Sequence, residues 1–324
     1  MLYISDKMNP LVTVIITVFK RIKFLREALA SVLSQTFESY EIIVTDDADS
    51  EEVKALCESM NRSNQIRYRS NQNRLGVALN VHAAILEAKG KYITVLNDDD
   101  CWESDFLSRL VLPLEQDDRR VLAFSDHYVM LEDGKIDLAQ TDRNTKIFKR
   151  DNLTEGELTN TAELIIDKTV PLVQAAIFRR DALDANLLVT DVAGAYDFWI
   201  ACLLGASGQP FYYIAERLTR YRTHQQMETL RPTADKFEPE VFIYYSLLQR
   251  NYFPEQQQKI EQQLAYTLYR CGRARLEFNE VQKARQLFKE SIHLSISWKA
   301  ILRLAISYFP EQIRSILLSI LIVD

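Results

Sequence analysis

Three consecutive acids, Asp98-Asp99-Asp100, close the apolar run Lys91 to Leu96 in the segment YITVLNDDDCW. Adjacent carboxylates repel one another, so a bound cation or basic ligand is the simplest reason to keep three together. Carboxylate oxygens suit a hard divalent ion. Mg²⁺ takes one or two of them and draws its other ligands from water and phosphates. A second acidic pair, Asp46-Asp47, closes the run EIIVTDD. A carboxylate there can accept a ring N–H or a sugar hydroxyl from a nucleotide. Either cluster alone could be a solvated turn or a helix cap. Two of them at the strand ends of one small sheet point instead to a nucleotide–metal cleft.

The elements that must position these acids alternate between two hydrophobic periods. Leu11 to Phe19 (LVTVIITVF) is almost wholly apolar and β-branched, the pattern of a strand buried on both faces. RIKFLREALASVLSQ follows with Ile22, Leu25, Leu29, Val32 and Leu33 at helical spacing. Glu41 to Asp47 reads as a strand, and Ser50 to Met60 as a helix with Ser50 as its N-cap. Ile66 to Arg69 is a short strand, Val77 to Lys89 a helix stopped by Gly90, and Lys91 to Leu96 another strand. Strands alternating with helices predict a Rossmann-like, mostly parallel α/β sheet flanked by helices, in which ligands bind at the carboxyl ends of strands. Val121 to Val129 and Phe211 to Ile214 read as further strands, Asp133-Gly134 as a turn and Phe198 to Leu204 as a helix.

Beyond Pro232 the composition shifts to an all-helical region, with Pro254 and Pro310 as breaks. The predicted division is therefore 9–232 for the α/β part and 233–324 for the helices. Gly272, Ala284 and Phe288 are spaced as in one tetratricopeptide unit, or as in a generic helical hairpin. Arg270 to Arg314 carries nine basic residues against four acidic ones, and the largely apolar ILRLAISYFPEQIRSILLSILIV, starting at Ile301, overlaps its end. That pairing predicts a peripheral membrane-surface contact, a homodimer contact, or a helix packed on the catalytic part.

The whole chain of 324 residues has 39 Lys plus Arg and 45 Asp plus Glu, a formal net charge of −6. This acidic balance argues against a nucleic-acid partner. No uncharged apolar stretch is long enough to span a bilayer, and the first apolar run lacks a basic lead-in, so no signal peptide is expected. Four dispersed cysteines without a CxxC pair fit a reducing cytoplasm.

VTVIITVFKR, then LASVLSQTFESYEIIVTDDADS, then NRLGVALNVHAAILEAKGKYITVLNDDDCW resemble, in order and spacing, the family 2 glycosyltransferases of GT-A fold. The resemblance is dense from Met8 to Leu112 and returns in GAYDFWIACLLGASG and ERLTRYRTHQ. It implies site roles. Thr17 and Phe19 would contact the nucleotide base or ribose, Asp47 would accept the uracil N–H, and Arg74 would reach the nucleotide or diphosphate. Asp98 and Asp99 fall in the DxD segment. Asp99 matches the usual metal ligand for Mn²⁺ or Mg²⁺, while Asn97 stands where the commonest form has its first acid. His224 matches a histidine that often completes the metal or diphosphate site.

The catalytic base departs from the family pattern. Where the family has an acidic pair ahead of its aromatic residue and Trp, GAYDFW has Gly194 and Ala195. Asp197 is the first candidate base and Asp191 the second. Trp102 and Trp199 read as packing residues or as sugar platforms.

The resemblance implies an inverting transfer from a nucleotide-diphosphate sugar, UDP-linked above all, to a hydroxyl of a glycan or lipid-linked acceptor. The setting it implies is polysaccharide or lipopolysaccharide assembly on the cytoplasmic face of the inner membrane. The rival readings are a non-catalytic sugar-nucleotide or carbohydrate-binding or scaffold protein, and a sugar nucleotidyltransferase, for which TVFKRIKF lacks the glycines of a triphosphate loop. A Rossmann dehydrogenase finds no G-x-G-x-x-G after any strand.

Overall fold

Val12–Val18 forms β1, and all seven of its residues are buried, as a strand covered on both faces requires. The computed structural model describes residues 9–19, 21–61, 65–225 and 234–320. After β1 come α1 (Ile22–Leu33), β2 (Tyr40–Asp46), α2 (Glu51–Met60), β3 (Ile66–Ser70), α3 (Val77–Glu87) and β4 (Tyr92–Asn97). The predicted periods fold as read. α1 buries Phe24, Leu25, Ala28, Leu29 and Val32 on one face, and the Ser50 hydroxyl accepts the Val53 amide at the start of α2.

Further along lie β5 (Cys101–Trp102), α4 (Phe106–Gln116), β6 (Leu122–Leu131), α5 (Leu138–Ile147), β7 (Gly156–Leu158), α6 (Thr161–Ile166) and α7 (Leu172–Ala175). β8 (Ala176–Arg179), α8 (Tyr196–Gly205) and β9 (Phe211–Thr223) complete the α/β part. The strands form one sheet in the order β3-β2-β1-β4-β8-β6-β9-β5, with β7 on β9. β3, β2, β1 and β4 are mutually parallel, and the rest is mixed: β8 runs antiparallel to β4 and β6, and β5 antiparallel to β9.

Three local readings change. Helix α3 stops at Glu87, because Ala88 turns to an extended conformation (ψ 137°). Gly90 is not its cap. A Cβ at Gly90 would lie 2.4 Å from the Thr13 backbone nitrogen, so only glycine lets the chain pass beneath β1. The strand expected at Phe211 to Ile214 continues to Thr223, bent by register shifts opposite Asp126 and His127 of β6.

The chain divides into two compact units, Met1–Gln225 and Gln226–Asp324. The boundary expected at Pro232 lies outside the described residues. The second unit contains α9 (Glu238–Arg250), α10 (Gln257–Glu277), α11 (Val281–Leu294), α12 (Trp298–Ile306) and α13 (Glu311–Ile320). Gly272 of α10 lies under the Phe288 ring of α11, where a Cβ would come within 2.8 Å of the ring. Among the described residues no helix is long and apolar enough to cross a membrane.

Candidate active site

The site begins at the carboxyl edge of the parallel strands. Thr17 of β1 sits level with Thr45 of β2 and with Asn97 of β4. The residues just beyond, Phe19, Asp47 and Asp98, therefore leave the sheet together. The Asp47 amide donates to Val18 O at 3.3 Å, and the Phe19 amide to Asp98 Oδ2 at 3.3 Å. The chain steps from β1 through β2 to β3 on one side, then returns to the other side of β1 as β4. A crevice at such a switch point is where open α/β sheets bind ligands.

Asp46 and Asp47 divide the labour. Asp46 is fully buried and accepts the amides of Ala48 (2.8 Å) and Ser50 (2.7 Å) and the Tyr68 hydroxyl (3.0 Å). It shapes the turn into α2. Asp47 reaches forward to the NRLG segment. Its Oδ1 accepts the Leu75 amide (2.8 Å) and Asn71 Nδ2 (3.0 Å), and its Oδ2 accepts the Gly76 amide (2.9 Å). Oδ2 keeps one lone pair for a further donor. Asn71 also donates to Asn80 Oδ1 at 2.7 Å, and Asn80 returns to Thr45 O at 3.0 Å, so a buried polar chain braces this clasp. Arg74 is largely exposed, its Nε 3.9 Å from Asp47, and its guanidinium covers one face of the Phe19 ring at 4.4 Å. Thr17 turns its hydroxyl to Asn97 Oδ1 at 3.3 Å.

The triple acid is held by residues from three directions. Arg21, in the loop after β1, places Nη2 and Nε (3.2 Å) on Asp98 and Nη1 on Asp99 Oδ2 at 2.5 Å. His224 Nε2 lies 3.0 Å from the same Asp99 oxygen. The antiparallel pairing of Cys101 with Arg220 brings the end of β9 alongside the acids. There the Arg222 amide donates to Asp100 Oδ1 and its Nε to Asp99 O, each at 2.8 Å, while Nη2 pairs with Glu27 at 2.5 Å.

The charges differ in consequence. Burial pushes the Asp98 carboxyl up to about 7, against the lowering effect of Arg21. Burial and the neighbouring Asp99 push Asp100 well above the usual carboxylate range. Asp100 Oδ2 has no hydrogen-bond partner among the described residues. Asp99 Oδ2 and His224 Nε2 bring together an oxygen and an imidazole nitrogen, donor types a divalent ion accepts, and Arg21 Nη1 engages the same oxygen. Among the described residues no group of three or more His, Cys, Asp or Glu is arranged to enclose a metal.

Asp197 lies in the first turn of α8, and Asp191 is exposed in the 3₁₀ segment Thr190–Ala195. The intervening Tyr196 hydroxyl is buried, without a hydrogen-bond partner among the described residues, and is pushed up by burial and then by Asp197, Asp100 and Asp99. The first turn of α8 is thus within electrostatic reach of the acid cluster. A Cβ at Gly194 would meet nothing within 4 Å, so open space stands where the family pattern has an acid. Trp102 and Trp199 are packing residues: each is buried, and their indole N–H groups donate to Gln174 O and Leu187 O at 2.7 Å.

Arg21, Asn71 and Arg222, which contact the candidate acids, and Tyr196, which feels their charge, stand out only in the structure. Arg21 follows a strand end that faces two acid clusters, and Arg222 alternates with Arg220 on β9; those were the available signals.

The chain is similar to known proteins in sequence and in fold. The glycosyltransferase GlyG of Streptococcus pneumoniae is 28% identical over 116 residues, 36% of this chain and 38% of that protein. A GalNAc(5)-diNAcBac-PP-undecaprenol beta-1,3-glucosyltransferase of Campylobacter jejuni is 35% identical over 104 residues, 32% of this chain and 34% of that protein. The matched stretch thus spans little more than a third of these curated relatives. Among solved structures, S. aureus TarS 1-349 in complex with UDP-GlcNAc superposes with a TM-score of 0.65 at 16% identity, covering 87% of this chain and 81% of that one. The mannosyltransferase PcManGT of Pyrobaculum calidifontis, in complex with GDP-Man and Mn²⁺, gives 0.60 at 14% identity, covering 95% and 83%. These likenesses establish the fold. Residues 13–185, more than half of the chain and the whole of the acid-bearing sheet edge from β1 to β4, match Glycosyl transferase family 2, and the chain belongs to that family.

Proposed function

We propose that the protein is an inverting transferase that moves a sugar from a UDP-linked donor to a hydroxyl of a glycan or lipid-linked acceptor. The observation that carries this reading is the convergence of two acid devices at one switch point: the Asp47 clasp just past β2, and the Asp98-Asp99-His224 group just past β4 and β9. The free lone pair of Asp47 Oδ2 would accept the uracil N–H, with Phe19 and Thr17 beside base and ribose and Arg74 toward the diphosphate. Asp98, buried beneath Arg21 and the Phe19 amide, would act on the nucleotide side of the cleft through them. Asp99 and His224 would hold Mn²⁺ or Mg²⁺, which when bound offsets charge on the departing diphosphate. Arg21, next to both acids, would contribute positive charge on the same side. Asp197 would take the acceptor hydroxyl proton as general base, with Asp191 as its substitute; such proton transfer supplies roughly 10²–10⁴-fold in rate.

Relatives support the parts unevenly. TarS is solved with UDP-GlcNAc, PcManGT with Mn²⁺, and the Campylobacter protein is named for a lipid-linked acceptor. Envelope polysaccharide assembly on the cytoplasmic side is the setting we infer, and the four free cysteines are consistent with a reducing compartment.

A second reading, a nucleotide-sugar binder without turnover, is favoured by one observation: Gly194 and Ala195 replace the acidic pair. Calorimetry with UDP and Mn²⁺, paired with a UDP-release assay, separates the two. Binding with turnover, both lost in Asp99→Ala, supports the transferase. Binding without turnover supports the binder, and absence of UDP binding with and without Mn²⁺ sinks both.

A further inference from the structure

The helices α12 and α13 expose apolar residues in rows. On α12 and the turn after it, Trp298, Ile301 and Tyr308 lie on one exposed face with Ala305 between them, at spacings of three, four and three. On α13, Ile313, Ile316 and Ile320 do the same at three and four. Residues so spaced share one helix face. The opposite faces are also apolar: Ala300 is buried, and Leu304 and Leu318 pack with it against the Tyr269–Phe288 core. A helix apolar on both sides has a second environment to satisfy besides its own core. Single exposed apolar residues need no explanation, but ordered rows mark an interaction surface.

The neighbouring charges say what kind. Much of the basic excess of this region is used internally: Arg275 pairs with Asp235, Glu238 and Glu280, Arg303 donates to the Tyr269 hydroxyl, and Arg314 to Asn279. Facing outward is a groove on α11 lined by Lys283, Arg285 and Lys289 together with Gln282, Gln286 and Tyr308; Lys283 also pairs with Glu280 at 2.8 Å, Arg285 also donates to Ser307, and Lys289 is exposed. The Arg285 guanidinium stacks on the Tyr308 ring at 4.0 Å, which joins the groove to the apolar row. Lys299 Nζ stands 5.6 Å from the Trp298 ring. Cations beside an aromatic-edged apolar row are the pattern of a helix lying in a lipid interface. A second copy of the chain suits the surface less well. A two-fold contact sets a patch against itself, and one whose axis passes near the groove would bring like charges together.

We propose that the α11–α13 face docks on an anionic phospholipid surface, with Trp298, Ile301, Ile313 and Ile316 in the interface and Lys283, Arg285 and Lys289 against the headgroups. This goes beyond the donor-site reading and uses none of its residues.

The test uses the full chain and vesicles of phosphatidylcholine with and without phosphatidylglycerol. Of the three tryptophans, Trp102 and Trp199 are buried and Trp298 is 61% exposed, so a change in emission reports on Trp298. The expected result is flotation with the anionic vesicles alone, a blue shift of the emission, and release by salt. Exchanging both Ile313 and Ile316 for Ser should abolish flotation. Lys289→Glu, on an exposed site outside the apolar row, should weaken it at least five-fold, the scale of one interfacial cation. Absence of flotation and of the shift would overturn the proposal. So would equal partition into neutral vesicles, or a concentration-dependent dimer in sedimentation velocity that the double serine variant dissolves.

Discussion

Arg21 Nη1 stands 2.5 Å from Asp99 Oδ2 while the same guanidinium engages Asp98 through Nη2 and Nε, so one planar cation bridges two adjacent carboxylates. The donor and the acceptors are 77 and 78 residues apart in the chain. They meet because β1 and β4 are neighbours in the sheet. A guanidinium suits this arrangement because its five donors are fixed in a planar fork.

The first prediction concerns that bridge. Arg21→Ala leaves Asp98 and Asp99 side by side without it. Removing one partner of a buried pair costs about 3–5 kcal/mol, and Arg21 is about a quarter exposed, so about 2 kcal/mol is expected. Urea denaturation measures the loss. Mn²⁺ should then raise the melting temperature of the variant by more than that of the wild type. Equal Mn²⁺ responses would show that the two cations do not share these carboxylates.

Asp47→Ala tests the clasp. It takes the acceptor from the Leu75 and Gly76 amides and from Asn71 Nδ2. Water can reach part of this loop, so the expected destabilisation is about 1–2 kcal/mol. UDP affinity should fall at least ten-fold, because the loop carrying Arg74 loses its anchor. Calorimetry that returns an unchanged UDP affinity would remove Asp47 and its loop from the nucleotide site.

The base assignment has a gain-of-function test. Asp197→Asn should lower kcat by about 10²–10⁴-fold while leaving UDP affinity within two-fold. Ala195→Asp in that background should recover part of the rate. Ala195 precedes the first helical residue of α8, a position that favours Asp, and the adjoining Gly194 opens on free space. A normal rate in Asp197→Asn transfers the role to Asp191 or to another group.

Stability should also depend on pH through a histidine remote from the acid cluster. His127 on β6 is buried, neither ring nitrogen has a hydrogen-bond partner among the described residues, and the Tyr221 ring lies 5.9 Å away. Burial and then Arg150 and Arg217 push it down, with Asp126 and Asn144 opposing, to about 4. The folded protein thus keeps it neutral, while the unfolded chain takes up its proton near 6.5. The stability associated with the neutral form is complete above pH 6.5 and is lost as the pH falls from 6.5 toward 4, by about 3 kcal/mol. His127→Phe should flatten that part of the urea-midpoint profile. An identical slope in the variant would assign the loss to other groups.

What the sequence determined by itself was whatever depends on neighbours along the chain. Short, largely apolar runs rich in β-branched residues fit strands covered on both faces, so β1, β2 and β4 and the acids at their ends could be read directly, as could the stripe of α1 and the Ser50 cap. Composition and spacing do not separate Asp46 from Asp47, and only the family resemblance singles out Asp47. Only the fold sends one back to its own turn and the other across to Leu75 and Gly76. Gly90 looked like a helix stop because glycine often is one. The sheet decided otherwise, by running Thr13 so close that no Cβ fits. Arg21 and Arg222 carry no such local signal, since nothing along the chain distinguishes a solvated arginine from one aimed at a carboxylate. Their partners come from strand order and from the antiparallel register of β5 on β9, which are relations between segments far apart in the chain. Periodicity records which face of an element is buried; which charges then meet across the sheet is set by register, and register is a property of the assembled tertiary structure.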